Sequence, residues 1–283
     1  MNHITFGWRS ADNTPIFAQG WLPPGEPVGA VCLLHGLGDH SSRYAHVARA
    51  LGEAGLATLT FDHYGHGQSG GKRGHAPAYS TFLENVERLL NEAVRRFGLV
   101  PVFLYGHSMG GNLALNYALR RQPPLAGVVA SSPWLRLTEP PPAAQITAAR
   151  LASRVAPGFT LRTRLNPAHT SRDPAAVAAY ASDPLNHDHC SVRLFTECNR
   201  AGEWALANAA RLSLPLLLFH GSGDRITCPR ASRDFADAVP GDCTFKLWAN
   251  LYHETHNEPE QAEVLQFVTG WLAAQLAAQS SPV

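Results

Sequence analysis

One serine constrains the possible fold of this chain most. It lies between two glycines, at a junction of a strand-like and a helix-like segment. An apolar run leads into residues 106–110, which read Gly-His-Ser-Met-Gly and match the pattern G-x-S-x-G. A sharp strand-to-helix turn strains its central residue and requires small neighbours, here Gly106 and Gly110. The pattern predicts that the Ser108 hydroxyl projects above a sheet, beside the N-terminus of a helix over 112–119. The plainer alternative is a glycine-rich turn that holds a solvated serine.

A base and a carboxylate are also needed, because a serine hydroxyl is a weak nucleophile. Asp224 follows the short apolar run 214–220, and His253 follows a strand-like run at 244–248. Both positions come after strands, and open α/β sheets carry their functional sites at that edge. The order along the chain is Ser, Asp, His. We therefore predict Ser108 as nucleophile, Asp224 as orienting acid and His253 as general base.

Other residues of the same types compete for these roles. His256 lies three positions after His253, and spacing alone does not exclude it, although a second histidine near such a loop is more often a surface or helix-capping residue. Asp234 and Asp237 fall in a helical pattern, and Asp242 falls in a turn before a strand. We expect these three aspartates to be solvated.

A glycine-containing loop, residues 35–38, follows the strand-like run 31–34. Glycine lets a backbone approach a substrate oxygen closely, so this loop is a candidate source of N–H groups for an oxyanion. We predict the backbone N–H groups of Leu37 and Met109 as the donors, because Met109 directly follows the nucleophile. For His35 we favour a structural role, in which the imidazole fastens the loop through backbone hydrogen bonds.

Five stretches are spread in order over almost the whole chain: residues 35–41 (His-Gly-Leu-Gly-Asp-His-Ser), 61–69 (Phe-Asp-His-Tyr-Gly-His-Gly-Gln-Ser), 106–111 (Gly-His-Ser-Met-Gly-Gly), 223–226 (Gly-Asp-Arg-Ile) and 252–254 (Tyr-His-Glu). In these stretches the chain resembles the monoacylglycerol lipase-like branch of the α/β-hydrolase superfamily. The resemblance implies Ser108, Asp224 and His253 as the catalytic triad, and an ester with a long acyl chain as substrate. A broad carboxylesterase or lysophospholipase with the same triad is the alternative. A non-catalytic sensor on the same scaffold is a more distant one.

Composition narrows the class of protein. The 283 residues are 45% hydrophobic and 16% charged, which is ordinary for a globular enzyme domain. A net charge of +1 gives no case for nucleic-acid binding. The five cysteines include no C-x-x-C pair, so neither a disulfide framework nor a zinc site is indicated. With no signal-peptide pattern and no run long enough to span a bilayer, we expect a soluble, cytoplasmic protein.

Strand-like and helical segments alternate along most of the chain. We predict an antiparallel hairpin from residues 3–9 and 16–21, and further strands at about 30–35, 56–61, 101–106, 126–131, 214–220 and 243–248. Helical apolar stripes run over 82–97, with Val94 among the core positions, and over 259–278. This alternation predicts an α/β-hydrolase fold, with a mostly parallel eight-stranded sheet covered by helices on both faces.

Residues 134–210 break the alternation. The segment is rich in proline, alanine and arginine and shows no buried-strand run, so we predict an inserted cap between two parts of the core, 1–133 and 211–283. Apolar residues alternate with arginines in its first part, which suggests transient contact with anionic lipid surfaces. From the sequence alone we favour a solvated basic face, and the membrane contact is the alternative. The apolar residues are Leu151, Val155, Phe159 and Leu161, and the arginines are Arg136, Arg150, Arg154, Arg162 and Arg164.

Two further patterns partly match a dinucleotide-binding loop and a metal site, but each lacks a required feature. Residues 65–70 satisfy G-x-G-x-x-G, yet the segment continues as a loop, whereas a dinucleotide-binding glycine loop opens directly into a helix. Residues 187–190, His-Asp-His-Cys, carry metal-ligating types without a third ligand at helical or hairpin spacing. We therefore predict neither a cofactor nor a metal.

Overall fold

The computed structural model describes residues 1–163 and 165–280. Its strands, in chain order, are β1 (Asn2–Arg9), β2 (Pro15–Leu22), β3 (Gly29–Leu34), β4 (Leu56–Phe61), β5 (Val102–His107), β6 (Gly127–Ser131), β7 (Thr160–Arg162), β8 (His189–Ser191), β9 (Leu216–Gly221) and β10 (Cys243–Trp248). Its helices are α1 (Ala45–Glu53), α2 (Tyr79–Phe97), α3 (Met109–Arg121), α4 (Ala143–Val155), α5 (Pro174–Ser182), α6 (Val192–Asn208), α7 (Pro229–Ala238) and α8 (Gln261–Ser280).

Eight strands form one sheet in the order β1-β2-β4-β3-β5-β6-β9-β10. The strands β1 and β2 make the predicted antiparallel hairpin, β2 pairs antiparallel with β4, and the remaining neighbours are parallel. Each predicted strand begins and ends within two residues of the observed bounds. The predicted fold class is confirmed.

The central strands of the sheet are mostly apolar and are buried on both faces. Alternate residues of a strand point to opposite faces. In β3, Cys32 and Leu34 pack towards α2 and α3, whereas Val31 and Leu33 pack towards α1 and α8. Every residue of β3, β4, β5, β6 and β9 is buried. This rigid layer carries the loops that follow its strands.

The predicted stripe on α2 is correct except at one position. Val94 is 51% exposed, although the apolar pattern assigned it to the core. It lies about 100° around the helix from Ala93, at the flank of the stripe, so it turns away from the sheet.

The helices of the described ranges include none that is both long and apolar enough to cross a membrane.

The segment predicted as a cap has two different parts. Helices α4 and α5 contain no buried residue, and β7 and β8 pair as a short antiparallel ladder that the sequence pattern did not predict. Strands of three residues are too short to show a periodicity. Helix α6, in contrast, packs on α3 of the core, where the Nδ2 groups of Asn112 and Asn116 donate to the carbonyls of Cys198 and Ala201 at 3.1 Å.

Candidate active site

The turn between β5 and α3 has the predicted strained geometry. Ser108 has a φ of +55° and a ψ of −116°, a backbone conformation that residues other than glycine rarely adopt. The backbones around it approach closely. A Cβ atom on Gly106 would lie 2.1 Å from the Gly110 carbonyl oxygen, and one on Gly110 would lie 2.2 Å from that of Leu34. Glycine at both positions is therefore a steric requirement of the turn.

Ser108, His253 and Asp224 form a hydrogen-bonded chain. The Oγ atom of Ser108 lies 2.9 Å from Nε2 of His253, and Nδ1 of His253 lies 2.7 Å from Oδ2 of Asp224. An ionised carboxylate only accepts, so Nδ1 carries a proton and Nε2 is free to accept the serine proton. The three residues come from the loops after β5, β9 and β10, which end at the same edge of the sheet.

The Asp224 side chain is fully buried and its carboxylate is heavily hydrogen-bonded. Oδ1 accepts from the backbone N–H groups of Ile226 and Thr227 at 2.7 and 3.0 Å. Oδ2 accepts from His253, from Nε2 of His220 at 2.9 Å and from the Thr227 hydroxyl at 2.9 Å. Burial raises the pKa of Asp224, but the charge of His253 and the bonds from both histidines outweigh it and hold this pKa far below its usual value. The carboxylate stays ionised.

The same pairing acts on His253 in the opposite direction. Burial favours the neutral ring, but the Asp224 charge and hydrogen bond, with smaller contributions from Glu254 and Asp39, raise the pKa of His253 above its ordinary value. An imidazolium formed at this position is therefore stabilised. The arrangement suits a base that must hold a proton for part of a reaction cycle.

The competing residues take no part in this chain of hydrogen bonds. His256 is buried, so the expectation of a surface or capping position was wrong. Its ring stacks on Tyr44 at 5.1 Å between centroids and meets His107 edge-on at 4.8 Å. Burial lowers the pKa of His256 to about 3. The predicted surface positions of Asp234, Asp237 and Asp242 are confirmed, since all three are exposed.

The loop after β3 lies against the serine. A Cβ atom on Gly36 would lie 3.2 Å from Cβ of Ser108. His35 fastens this loop, as predicted: Nδ1 donates to the Gly36 carbonyl at 2.8 Å, and Nε2 accepts from the His63 backbone N–H at 2.9 Å. Leu37 lines the cavity above Ser108, and Met109 begins α3, where the first helical N–H groups have no partner within the helix.

A cavity of about 1210 Å³ opens above Ser108. Part of its wall is apolar, with contributions from Leu37, Trp134, Leu137, Leu161, Phe195 and Ile226. Another part is polar and includes Asp39, Tyr180, Asp183 and Glu254. The cavity thus combines surface for a hydrocarbon chain with hydrogen-bonding groups for a hydroxylated one.

The structure supports neither a metal site at residues 187–190 nor a dinucleotide site at residues 65–70. In residues 1–163 and 165–280 no cluster of three or more His, Cys, Asp or Glu residues could hold a metal ion. The glycine loop 65–70 is followed by more loop, and α2 begins only at Tyr79.

Comparison with known proteins agrees with this geometry. The family described as "Hydrolase_4: Serine aminopeptidase, S33" matches residues 25–260. The chain belongs to this family. A Mycolicibacterium smegmatis protein named monoacylglycerol lipase is 36% identical to this serine hydrolase over 258 residues, which cover 90% of this chain and 92% of the relative. The crystal structure of a Paleococcus ferrophilus monoacylglycerol lipase is 34% identical and superposes with a TM-score of 0.84, over 92% of this chain and 99% of the other.

Another relative is longer. An uncharacterized abhydrolase domain-containing protein of Dictyostelium discoideum is 34% identical over 270 residues, which cover 94% of this chain. The chain spans 28% of the length of that relative.

Two groups around the site of this α/β-hydrolase escaped the sequence analysis. His220 and Thr227 contact Asp224, and the only hint in the sequence is a polar residue at the end of an apolar strand, four positions before the aspartate. The second group is an ion-paired cluster in which Arg43 contacts Asp39 at 3.0 Å and Glu254 at 2.7 Å. Asp39 lies four residues before Arg43, but Glu254 is distant along the chain, so no local pattern joins the whole cluster.

Proposed function

We propose that this protein hydrolyses monoacylglycerols to a fatty acid and glycerol through an acyl-enzyme on Ser108. The observation that carries the proposal is the hydrogen-bonded chain from Ser108 through His253 to Asp224, beneath a cavity that is partly apolar and partly polar. The names of the two monoacylglycerol lipases that share about a third of their residues with this chain support the choice of substrate.

In the proposed first step, Nε2 of His253 takes the Ser108 proton as Oγ attacks the ester carbonyl. Asp224 stabilises the imidazolium that forms, in keeping with the raised pKa of His253. His253 then gives the proton to the departing glycerol oxygen, which leaves the acyl group on Oγ. Water repeats the sequence: His253 removes its proton, hydroxide adds to the acyl carbon, and Ser108 regains its proton as the fatty acid leaves.

We assign the oxyanion of the tetrahedral intermediate to the backbone N–H groups of Leu37 and Met109. Two features support this assignment: the 35–38 loop lies against Ser108, and Met109 is the first residue of α3, whose helix dipole favours negative charge. Because these donors belong to the backbone, substitutions of the Leu37 or Met109 side chain leave them in place.

Hydrolysis of a chain-length series of 1-acylglycerols beside matched methyl esters tests the proposal. A monoacylglycerol lipase gives a higher kcat/KM on the glycerol esters, whereas equal values on both series indicate a general carboxylesterase. Ser108→Ala is the blank for each substrate, and we expect its kcat to fall on the order of 10⁴- to 10⁶-fold. Turnover that does not depend on Ser108 would contradict the mechanism.

We further propose that residues 134–210 act as the cap over the cavity, with α4 free to move relative to the core. Its exposed apolar side chains, Leu151, Val155, Phe159 and Leu161, support a transient contact with a membrane surface. Of the arginines nearby, Arg136 pairs with Glu203 at 2.7 Å and Arg162 with Asp188 at 3.2 Å, which leaves less free positive charge than the sequence suggests. Arg164 lies outside the described residues.

Co-sedimentation with vesicles tests the membrane contact. We expect the double variant Leu151→Ser/Val155→Ser to bind vesicles of mixed neutral and anionic phospholipid more weakly than the wild type. Leu99→Ser is the matched control, because Leu99 is equally apolar and fully exposed but lies in the loop after α2. Binding that responds neither to the double substitution nor to anionic lipid and salt would remove this proposal.

A further inference from the structure

A second histidine shares the carboxylate oxygen that the catalytic base uses. Nε2 of His220, at the end of β9, lies 2.9 Å from Oδ2 of Asp224, and the same oxygen lies 2.7 Å from Nδ1 of His253. The side chains of His220 and Asp224 are both fully buried. Oδ2 therefore accepts from two imidazoles at once.

The surroundings of His220 determine which of its ring nitrogens carries the proton. Nδ1 lies 2.8 Å from the hydroxyl of Ser232, which is buried on α7 and can donate to it. Nε2 faces only acceptors or groups that can accept: the Asp224 carboxylate, the Thr227 carbonyl at 3.2 Å and the Thr227 hydroxyl at 3.3 Å. A lone pair at Nε2 would oppose the carboxylate charge, so Nε2 carries a hydrogen and donates.

We propose that His220 is a positioning residue of the reaction, which holds the Asp224 carboxylate in the orientation that directs His253 towards Ser108. This inference rests on the proposed function of the triad. Thr227 does not replace His220, because its hydroxyl carries one hydrogen and lies near two acceptors, Oδ2 of Asp224 at 2.9 Å and the Ser132 carbonyl at 3.1 Å. The N–H of His220 is the donor to Oδ2 from the sheet side, and the ring is locked by Ser232.

Two amide substitutions separate this role from a purely structural one. The Nε2 of glutamine is as many bonds from the backbone as Nε2 of histidine, so His220→Gln keeps a donor towards Asp224 and loses the contact with Ser232. The shorter His220→Asn does the reverse: its amide reaches Ser232 and falls short of Asp224. If His220 only ties β9 to α7, the asparagine variant should keep more of the wild-type kcat. If His220 positions Asp224, the glutamine variant should keep more of it.

The measurement is kcat and KM of the full chain on a dispersed short-chain aryl ester, with Ser108→Ala as blank, because this substrate tests the triad without the glycerol head group. We expect His220→Asn to lose about tenfold to a hundredfold in kcat at unchanged KM, and His220→Gln to retain most of the wild-type kcat. Equal kcat values for the two variants, or a better one for asparagine, overturn the inference.

Ser232→Ala keeps the test decisive where a His220 variant does not fold. It removes the lock on Nδ1 and lets the His220 ring turn away from Asp224, so we expect kcat to fall at unchanged KM, by less than in His220→Asn. Wild-type kcat in Ser232→Ala would overturn the inference, because an unlocked ring would then serve as well as a locked one. A wild-type enzyme without Ser108-dependent turnover would instead overturn the proposed function itself.

Discussion

The catalytic edge of the sheet and the first part of the cap segment are built in opposite ways. At the catalytic edge, the Asp224 side chain has no solvent exposure and both of its carboxylate oxygens are hydrogen-bonded. In α4 no residue is buried, and Val155 at its end is 85% exposed. Proton transfer needs atoms held in fixed positions, whereas access to a cavity needs a segment that can be displaced at small cost.

One seam between the two regions lies at the loop after β3. The His187 backbone N–H donates to the Gly38 carbonyl at 2.9 Å, and Nε2 of His40 lies 2.9 Å from the Asp183 carboxylate. The guanidinium of Arg43 lies 4.7 Å from the centre of the Tyr180 ring. The part of the proposed cap that follows α4 is thus fastened to the loop that carries Leu37, which is the proposed source of an oxyanion donor.

The largest effect is expected at the catalytic edge. Asp224→Asn preserves the shape of the side chain but removes the charge that stabilises the His253 imidazolium and fixes its tautomer. We expect kcat to fall on the order of 10⁴-fold, with little change in secondary structure by circular dichroism. The exposed Asp237→Asn is the control, which should keep wild-type kcat. A loss below tenfold in Asp224→Asn would mean that the buried carboxylate is not part of the reaction.

A substitution in the seam should come next. Gly38 has a φ of +73°, and a Cβ atom there would lie 2.1 Å from the His187 carbonyl oxygen, so Gly38→Ala must shift the loop or the cap. Displacement of about 1 Å near reacting atoms can cost on the order of 10²-fold in kcat. Gly270→Ala is the matched control, because its Cβ meets no atom within 4 Å. Wild-type kcat in Gly38→Ala would show that the seam does not position the oxyanion donors.

The pH dependence should reflect the buried pairing of His253. Activity requires the neutral ring, and the pKa of His253 is raised, so kcat/KM should increase with pH and reach half its maximum above the ordinary value of about 6.5. Below that midpoint we expect about tenfold loss per pH unit. Initial rates on a dispersed short-chain ester between pH 5 and pH 9 measure it. A midpoint below about 6 would contradict the stabilised imidazolium.

The smallest effect is expected in α4. Val155→Ala should change the free energy of unfolding by no more than about 0.5 kcal/mol, because the side chain is already in water. The same substitution at Val129, which is fully buried in β6, should cost about 2 kcal/mol or more through lost burial and a cavity. Denaturant titration of both variants measures the difference. Equal costs would mean that α4 is packed in solution and does not differ from the core in its burial.

The sequence predicted that Ser108, Asp224 and His253 converge at one edge of the sheet, because each carries a local signal; their catalytic roles stay a prediction. Gly106 and Gly110 mark a strained turn, and apolar runs followed by polar loops mark the strands that bring Asp224 and His253 to one edge. The positions of His220 and Thr227 around Asp224 depend on side-chain packing between β9 and α7, for which no periodicity exists. The same holds for the pairing of Arg43 with Glu254, since these residues are far apart along the chain.

The cap segment was harder to predict for a different reason. Prolines around position 141 showed only where the regular alternation stops, and the strands β7 and β8 are too short to produce a pattern. Helix α6 lies within residues 134–210, yet it packs on α3 with a buried face that includes Cys198, Ala201 and Ala205, and Asn112 and Asn116 bond its carbonyls. The boundaries of the cap therefore stay a prediction, and its selectivity for a head group depends on contacts that single-sequence patterns do not encode.

Covalent labelling tests the central claim most directly. We would treat the enzyme with a long-chain alkyl fluorophosphonate, which forms a stable bond with an activated serine, and then measure the intact mass and the labelled peptide. The account predicts a single adduct on Ser108, no adduct in Ser108→Ala, and much slower labelling of Asp224→Asn. An adduct on another residue, or unchanged labelling of Ser108→Ala, would contradict it.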